Sequence, residues 1–303
     1  MKKVLSLDGG GIRGIFTLDI LRHIEKSTGK RIIELFDLIV GTSTGGFIAG
    51  CLVAGKTIDE IEEEYWKVSK SFNPNPTIIS YIKRLIFGSI IDPSVIYNLL
   101  TSFLGKIRLN ELPESPRLII IASKVSGFYA SPFLFRNRPM YNSSFPCMYN
   151  ISLADTLRAC TSAPTFYPNY KIGSATIVDG AIHTNNPTMF AICETSLMSE
   201  SVDFLVSIGT GTVEQEEGKI PESTFSWIYT ILNMATDTEN TQNLAKGILG
   251  SKLIRINPPV GKCYLWENNK TTINSYREIV KAYCQSVNIL ALGSEFSSDQ
   301  LGI

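Results

Sequence analysis

From Leu38 to Gly55 the chain runs for eighteen residues without a charge. A membrane-spanning helix needs ~20 predominantly apolar residues. This stretch instead carries Gly41-Thr42-Ser43-Thr44-Gly45-Gly46 near its start. It therefore reads as a buried strand, Phe36 to Val40, a tight turn, and a buried helix from Phe47 to Ala54. The same succession occurs at the start of the chain. Val4-Leu5-Ser6-Leu7 is an apolar run stopped by Asp8-Gly9-Gly10-Gly11, after which Ile12, Ile15, Phe16, Leu18, Ile20, Leu21 and Ile24 recur on a helical period. Strand, turn and helix repeated in this way predict an α/β fold, a three-layer sandwich with a mostly parallel central sheet flanked by helices.

Thr57 and Glu60 form a capping box ahead of a helix whose buried stripe is Ile58, Ile61, Tyr65, Val68 and Phe72. The acids Asp59, Glu60, Glu62, Glu63 and Glu64 then fall on its solvated faces. Further strands are expected at Leu118–Ala122, Phe133–Phe135, Thr176–Val178, Phe204–Ile208 and Leu253–Ile256. Further helices are expected at Leu153–Cys160, Pro187–Met198, Phe225–Leu249 and Tyr276–Leu292. No Pro/Gly/Ser-rich linker divides the 303 residues. The expectation is one main domain over residues 1–212, with residues 213–303 an extension of helix and strand packed on it.

Lysines and arginines number 28 and so do aspartates and glutamates, and only 18% of residues are charged. A balanced chain of this kind has no electrostatic footprint for nucleic acid and no basic surface for anionic lipid, so a partner must be met through shape and apolar contact. The six cysteines are scattered without a C-x-x-C pair, and the two histidines, His23 and His183, lie far apart. Neither a disulfide framework nor a metal site is expected. Asp8 interrupts the N-terminus before a signal-peptide core can form, which predicts a cytoplasmic location.

Three short motifs carry chemistry. Gly41-Thr42-Ser43-Thr44-Gly45 fits G-x-S-x-G between a buried strand and an apolar helix, where a sharp turn lifts the Ser43 hydroxyl clear of the backbone. Asp8-Gly9-Gly10-Gly11-Ile12-Arg13-Gly14 contains G-x-G-x-x-G. A dinucleotide site would need an acidic residue at the end of the second strand, and Leu38-Ile39-Val40-Gly41 supplies none. Successive glycine amides at a helix start suit an oxyanion hole instead. Val178-Asp179-Gly180-Ala181 places a carboxylate at a strand end, which in isolation reads as a plain turn.

Taken together, these motifs resemble the patatin-like phospholipases, whose hallmarks are D-G-G-G-x-R-G, G-x-S-x-G and D-G-A/G in this order. The resemblance runs from Val4 to about Thr212 and takes in Thr161-Ser162-Ala163-Pro164, Asn185-Asn186-Pro187 and Ser207-Ile208-Gly209-Thr210-Gly211. It implies a lipid acyl hydrolase of the phospholipase A type that works without cofactor or metal. Ser43 would be the nucleophile and Asp179 its base, with Gly9, Gly10, Gly11 and Arg13 around the oxyanion and Asp8, Gly14, Gly41, Gly45 and Gly180 supporting the motifs. For Arg13 two further readings stand, contact with a lipid phosphate and a salt bridge with Asp8. His183 is the only histidine after Ser43 and lies four residues past Asp179, which places it on a packed loop rather than in a triad.

The implied partner is membrane phospholipid, met peripherally. The apolar segment Ile78 to Ile91 is read as a cap helix on the sheet, with bilayer insertion the competing reading. The family also contains bacterial defence phospholipases switched on by cyclic nucleotides, which leaves a small-molecule activator open. A triacylglycerol lipase or transacylase would use the same residues, and a catalytically idle lipid-binding or storage protein is the non-enzymatic alternative.

Overall fold

Along the central strands apolar side chains alternate between two cores. Leu5, Leu7, Ile39, Leu118, Ile120, Phe204, Val206 and Ile208 belong to one buried cluster, and Val4, Leu38, Val40, Ile119, Ile121 and Leu205 to another. With a side-chain period of two, both faces of these strands are covered, as a parallel sheet requires. The computed structural model describes residues 2–70, 93–140, 143, 145–164, 167–213, 238–261, 263, 267 and 269–286. The apolar segment Ile78 to Ile91 lies outside them.

The strands are β1 (Lys2–Leu7), β2 (Leu38–Thr42), β3 (Arg117–Ser126), β4 (Tyr129–Arg136), β5 (Cys147–Met148), β6 (Tyr170–Ile172), β7 (Ala175–Asp179), β8 (Val202–Ile208) and β9 (Leu253–Ile256). They form one sheet in the order β5-β4-β3-β2-β1-β8-β9. The pairs from β3 to β9 in that order are all parallel. Strand β4 runs antiparallel to β3. Strand β7 pairs antiparallel with both β3 and β6.

The helices are α1 (Gly14–Thr28), α2 (Ile32–Leu35), α3 (Thr44–Val53), α4 (Ile58–Lys70), α5 (Pro93–Leu104), α6 (Leu153–Cys160), α7 (Thr188–Leu197), α8 (Glu239–Leu249) and α9 (Lys270–Ser286). Helices α1, α3 and α4 cover one face of the sheet, and α7, with α8 upon it, covers the other. All five residues of β2 and all ten of α3 are buried, which accounts for the uncharged run from Leu38. Helix α9 begins at Lys270, six residues before the expected Tyr276, because the Asn269 side chain accepts from the Thr271 and Thr272 amides and so caps it. The expected helix from Phe225 is described only from Glu239, since residues 214–237 lie outside the described set. Helix α5 and the short strands β5 and β6 are not anticipated by the sequence pattern.

The described residues beyond 213 join this architecture directly. Strand β9 extends the sheet from β8, and α9 lies along α1, with Tyr276 set edge-on to Phe16. Arg277 donates to both oxygens of Asp19 on α1 (2.6 and 2.7 Å) and to both of Glu62 on α4 (2.6 and 3.1 Å). Arg22 joins the same network through Asp19, Asp59 and Glu62. The acidic face of α4 is thus partly a docking face for the C-terminal helix rather than wholly solvated. Among the described residues no helix is long and apolar enough to cross a membrane.

Candidate active site

Strands β1, β2 and β8 all end at one edge of the sheet, and the loops leaving them carry Asp8–Gly11, Ser43 and Gly209. This carboxyl edge is where open α/β sheets place their ligands. Ser43 occupies the turn between β2 and α3 at φ 53°, ψ −121°. A non-glycine residue held at positive φ costs of order 1–3 kcal/mol, so the surroundings must enforce the turn. They do so by close approach. A methyl group at Gly45 would collide with the carbonyl oxygens of Leu7 and Asp8, and one at Gly41 with the carbonyl of Gly45. The first turn of α3 is thereby clamped between the ends of β1 and β2, and the positive end of its helix dipole faces Ser43.

Asp179 reaches Ser43 through strand β3. Thr42, the last residue of β2, pairs with Ile121. Asp179, the last residue of β7, pairs with Ala122, the next residue along the same edge of β3. Strands β2 and β7 run in opposite directions, so their carboxyl ends meet head to head there. The Ser43 hydroxyl then donates to Asp179 Oδ2 at 2.7 Å. The other oxygen, Oδ1, accepts from the Ala181 amide at 2.8 Å. Gly180 follows the aspartate and opens the short turn Gly180–Ile182.

The Asp179 carboxyl is buried, and burial pushes its pKa up from 3.8 to about 6 against the opposing bonds from Ala181 and Ser43. A hydroxyl hydrogen-bonded to a buried carboxylate whose pKa lies near neutrality can give up its proton as its oxygen attacks an electrophile. Beneath the serine, the Cys160 sulfur lies 3.9 Å from the Ser43 carbonyl, and burial raises its thiol well above the ordinary value.

The glycine loop lies against Ser43: a methyl at Gly9 would stand 3.2 Å from the Ser43 Cβ. The amide of Gly9, however, donates to the carbonyl of Asn185 at 2.9 Å. That corrects the expectation that all three glycine amides face an oxyanion. No acceptor for the amides of Gly10 and Gly11 is found among the described residues. The Gly9 carbonyl is itself held by Asn185 Nδ2 (3.2 Å) and Thr210 Oγ1 (3.1 Å), so the later motifs brace the first. The Thr44 and Tyr65 hydroxyls and the Gly11 carbonyl lie within hydrogen-bond reach of one another, Thr44 Oγ1 at 3.0 Å from that carbonyl. Their two protons either both go to the carbonyl or form a chain in which one hydroxyl donates to the other and that one to the carbonyl. Gly14 opens α1 beside Tyr65.

Asp8 is paired with Arg255 of β9 at 2.6 Å, not with Arg13. Burial raises the Asp8 carboxyl above its usual range, and the Arg255 guanidinium opposes that rise. Arg255 also donates to Ser207 Oγ at 2.8 Å, which ties the start of the loop to β8 and β9. Arg13 is buried in the turn Gly11–Arg13.

Two of these contributors escape a reading of the sequence for different reasons. Tyr65 is indistinguishable there from any aromatic on a buried helical stripe. Arg255 leaves a trace, being a lone charge within the apolar strand Leu253-Ile254-Arg255-Ile256. His183 stands outside the pair, as the sequence predicts. Its Nδ1 lies 2.9 Å from Ser123 Oγ and its Nε2 3.0 Å from the carbonyl of Ala130. A carbonyl only accepts, so Nε2 carries the proton and Nδ1 receives the Ser123 hydroxyl, which leaves neither nitrogen for Ser43.

The family model for patatin-like phospholipase matches residues 5–192. Among curated proteins, the chain is 30% identical over 271 residues to human calcium-independent phospholipase A2-gamma, across 84% of this chain and 34% of that protein. It is 31% identical over 272 residues to phospholipase A I of Arabidopsis thaliana, across 70% and 21%. With patatin-like protein 2 of Oryza sativa subsp. japonica the identity is 28% over 275 residues, across 75% and 66%. The chain thus spans about a third of the length of the A2-gamma relative. The family match covers more than half of the residues and passes through the glycine loop, the Ser43 turn and Asp179, so the chain belongs to the patatin-like phospholipases.

Proposed function

We propose that this protein is a lipid acyl hydrolase that cleaves fatty-acyl esters of membrane phospholipids with a Ser43–Asp179 dyad. The observation that carries the reading is the 2.7 Å bond from Ser43 Oγ, on a strained turn, to a carboxylate held near pKa 6 by burial. Ser43 Oγ attacks the ester carbonyl and passes its proton to Asp179 Oδ2. The carbonyl oxygen, now anionic, is met by the amides of Gly10 and Gly11 and by the N-terminus of α3. Asp179 returns the proton to the leaving alcohol, the lysophospholipid, and leaves an acyl group on Ser43. It then takes a proton from water as that water attacks the acyl-enzyme, and passes that proton to Ser43 Oγ as the acyl C–O bond breaks, so that fatty acid departs and both the Ser43 hydroxyl and the Asp179 carboxylate are restored. In this scheme Asp8 and Arg255 fix the glycine loop, and Tyr65 and Thr44 hold it to the serine turn.

The test is release of free fatty acid and lysophospholipid from phosphatidylcholine vesicles, alongside turnover of a short-chain nitrophenyl ester. Hydrolysis of neither substrate would reject the reading.

Two further outcomes follow. His183→Ala keeps most of the activity, within about fivefold, because a dyad transfers its proton over one hydrogen bond and gives imidazole no role. A collapse to the level of a serine knockout in a folded variant would make His183 the base and overturn the dyad. EDTA leaves turnover unchanged, since the proton transfers need only Ser43, Asp179 and water. Loss of activity in EDTA that calcium restores would refute this mechanism.

A further inference from the structure

Strands β3 and β4 continue well past the edge that carries Ser43. Thr42 pairs with Ile121, and β3 runs on to Ser126 before the chain turns back at Gly127-Phe128 into Tyr129. Five residues of strand place the tip roughly 17 Å beyond the end of β2. The loop has two residues, and Gly127 sits at φ 61°, the positive value that a II′ hairpin turn needs at its first central position. So tight a turn gives Phe128 no strand of its own to fold back upon. Phe128 is fully exposed and Tyr129 is 82% exposed, the two most exposed large apolar side chains among the described residues.

The hairpin is fastened to the candidate site. Val125 pairs with Thr176 of β7, three residues from Asp179 at the far end of that strand, and the Ala130 carbonyl accepts from His183. Ile182, one residue before His183, is also exposed. Charge is distributed one way only. Residues 120–135 and 170–178, the outer part of this hairpin and of the β6–β7 hairpin beside it, contain Lys124 and Lys171 and no aspartate or glutamate, while the inner strand ends carry Arg117, Arg136 and the buried Asp179. In a chain with equal numbers of acids and bases, a projecting pair of hairpins whose outer parts are free of carboxylates, one of them tipped with Phe and Tyr, matches a membrane interface. Aromatic rings settle at headgroup depth there, and lysines meet anionic phosphates.

We infer that the Gly127–Tyr129 tip is a docking element for a phospholipid bilayer and presents the membrane to the edge that carries Ser43. The inference rests on the lipid-hydrolase reading for its purpose, but not for its test. Binding is measured by co-sedimentation with vesicles of phosphatidylcholine mixed with phosphatidylglycerol, in a Ser43→Ala background that leaves the lipid intact. Phe128→Ser/Tyr129→Ser should weaken partitioning by about tenfold or more. Lys124→Glu/Lys171→Glu should weaken binding to the mixed vesicles and leave binding to pure phosphatidylcholine unaltered. With Ser43 restored, the aromatic double variant should lose vesicle hydrolysis in the same proportion. Turnover of a soluble nitrophenyl ester should stay within about twofold of the parent, which also certifies the fold.

If the aromatic variant sediments with vesicles as the parent does, the docking element is refuted. If the parent binds vesicles through the tip yet hydrolyses neither substrate, the surface stands and the hydrolase reading falls.

Discussion

Ser43→Ala lowers turnover of both phospholipid vesicles and a soluble ester by roughly 10,000-fold or more, while the protein remains folded. The size follows from what is removed. Without the hydroxyl there is no acyl-enzyme, and what survives is the contribution of binding and oxyanion contacts to direct attack by water. Alanine keeps the Cβ and the same backbone demand at φ 53°, so the strain of the turn is unchanged. The variant does strip Asp179 Oδ2 of its donor. A buried carboxyl that loses a hydrogen bond to its charged form moves further up in pKa, so the protein adapts by holding that proton rather than by unfolding. Steady-state rates combined with circular dichroism check both halves. Retention of more than about a hundredth of the parent rate would mean that Ser43 is not the nucleophile.

Asp179→Asn costs about 1,000-fold or more in kcat/KM, because an amide oxygen cannot take the Ser43 proton. The parent's own pH profile carries the same information. With the carboxyl at about pKa 6, kcat/KM rises as pH passes upward through 6 and then levels off. A profile flat from about pH 5 to 8 would exclude Asp179 as the base.

Stability moves the other way. In the folded protein the carboxyl binds its proton more tightly than in the unfolded chain, where the ordinary 3.8 applies. Folding stability from this group is therefore fully present below about pH 4 and declines as pH rises to about 6. The shift corresponds to about 3 kcal/mol lost by neutral pH. Asparagine carries no charge to desolvate, so the variant should recover up to about that amount at pH 7.5 and show little difference from the parent near pH 4. Urea unfolding at the two pH values reads this directly. A variant less stable than the parent at pH 7.5 would show that the carboxylate is a structural asset rather than a strained base.

Much of the fold was legible because buried parallel strands must be apolar on both faces. Val4–Leu7, Leu118–Ala122 and Phe204–Ile208 stand out as short apolar runs for that reason, and each lies in a strand of the sheet. Leu153–Cys160 is found as a helix over the same residues, since the Ser152 side chain accepts from the Asp155 amide and caps its start. Strands β5 and β6, of two and three residues, are too short to carry a period. Helix α5 begins at Pro93, directly after an apolar stretch that obscures its own stripe.

At the site, the sequence determined residue types and local geometry. Glycines at 41 and 45 and a serine between a buried strand and a buried helix specify a sharp turn, whatever lies across from it. Which groups face one another was decided only by tertiary structure. The sequence offered Arg13 to Asp8, and the sheet order delivered Arg255 instead, because β9 is the strand next to β8. The glycine loop suggested three free amides, and the packing of Asn185 against Gly9 occupied one.

Ser43 and Asp179 are 136 positions apart, and no local pattern fixes the distance between them. It is fixed by the register of β3, where Ile121 and Ala122 pair in turn with the last residues of β2 and β7. A slip of one residue would turn every side chain of a strand to the opposite face, so the two buried cores that hold the register also set the distance between serine and carboxylate.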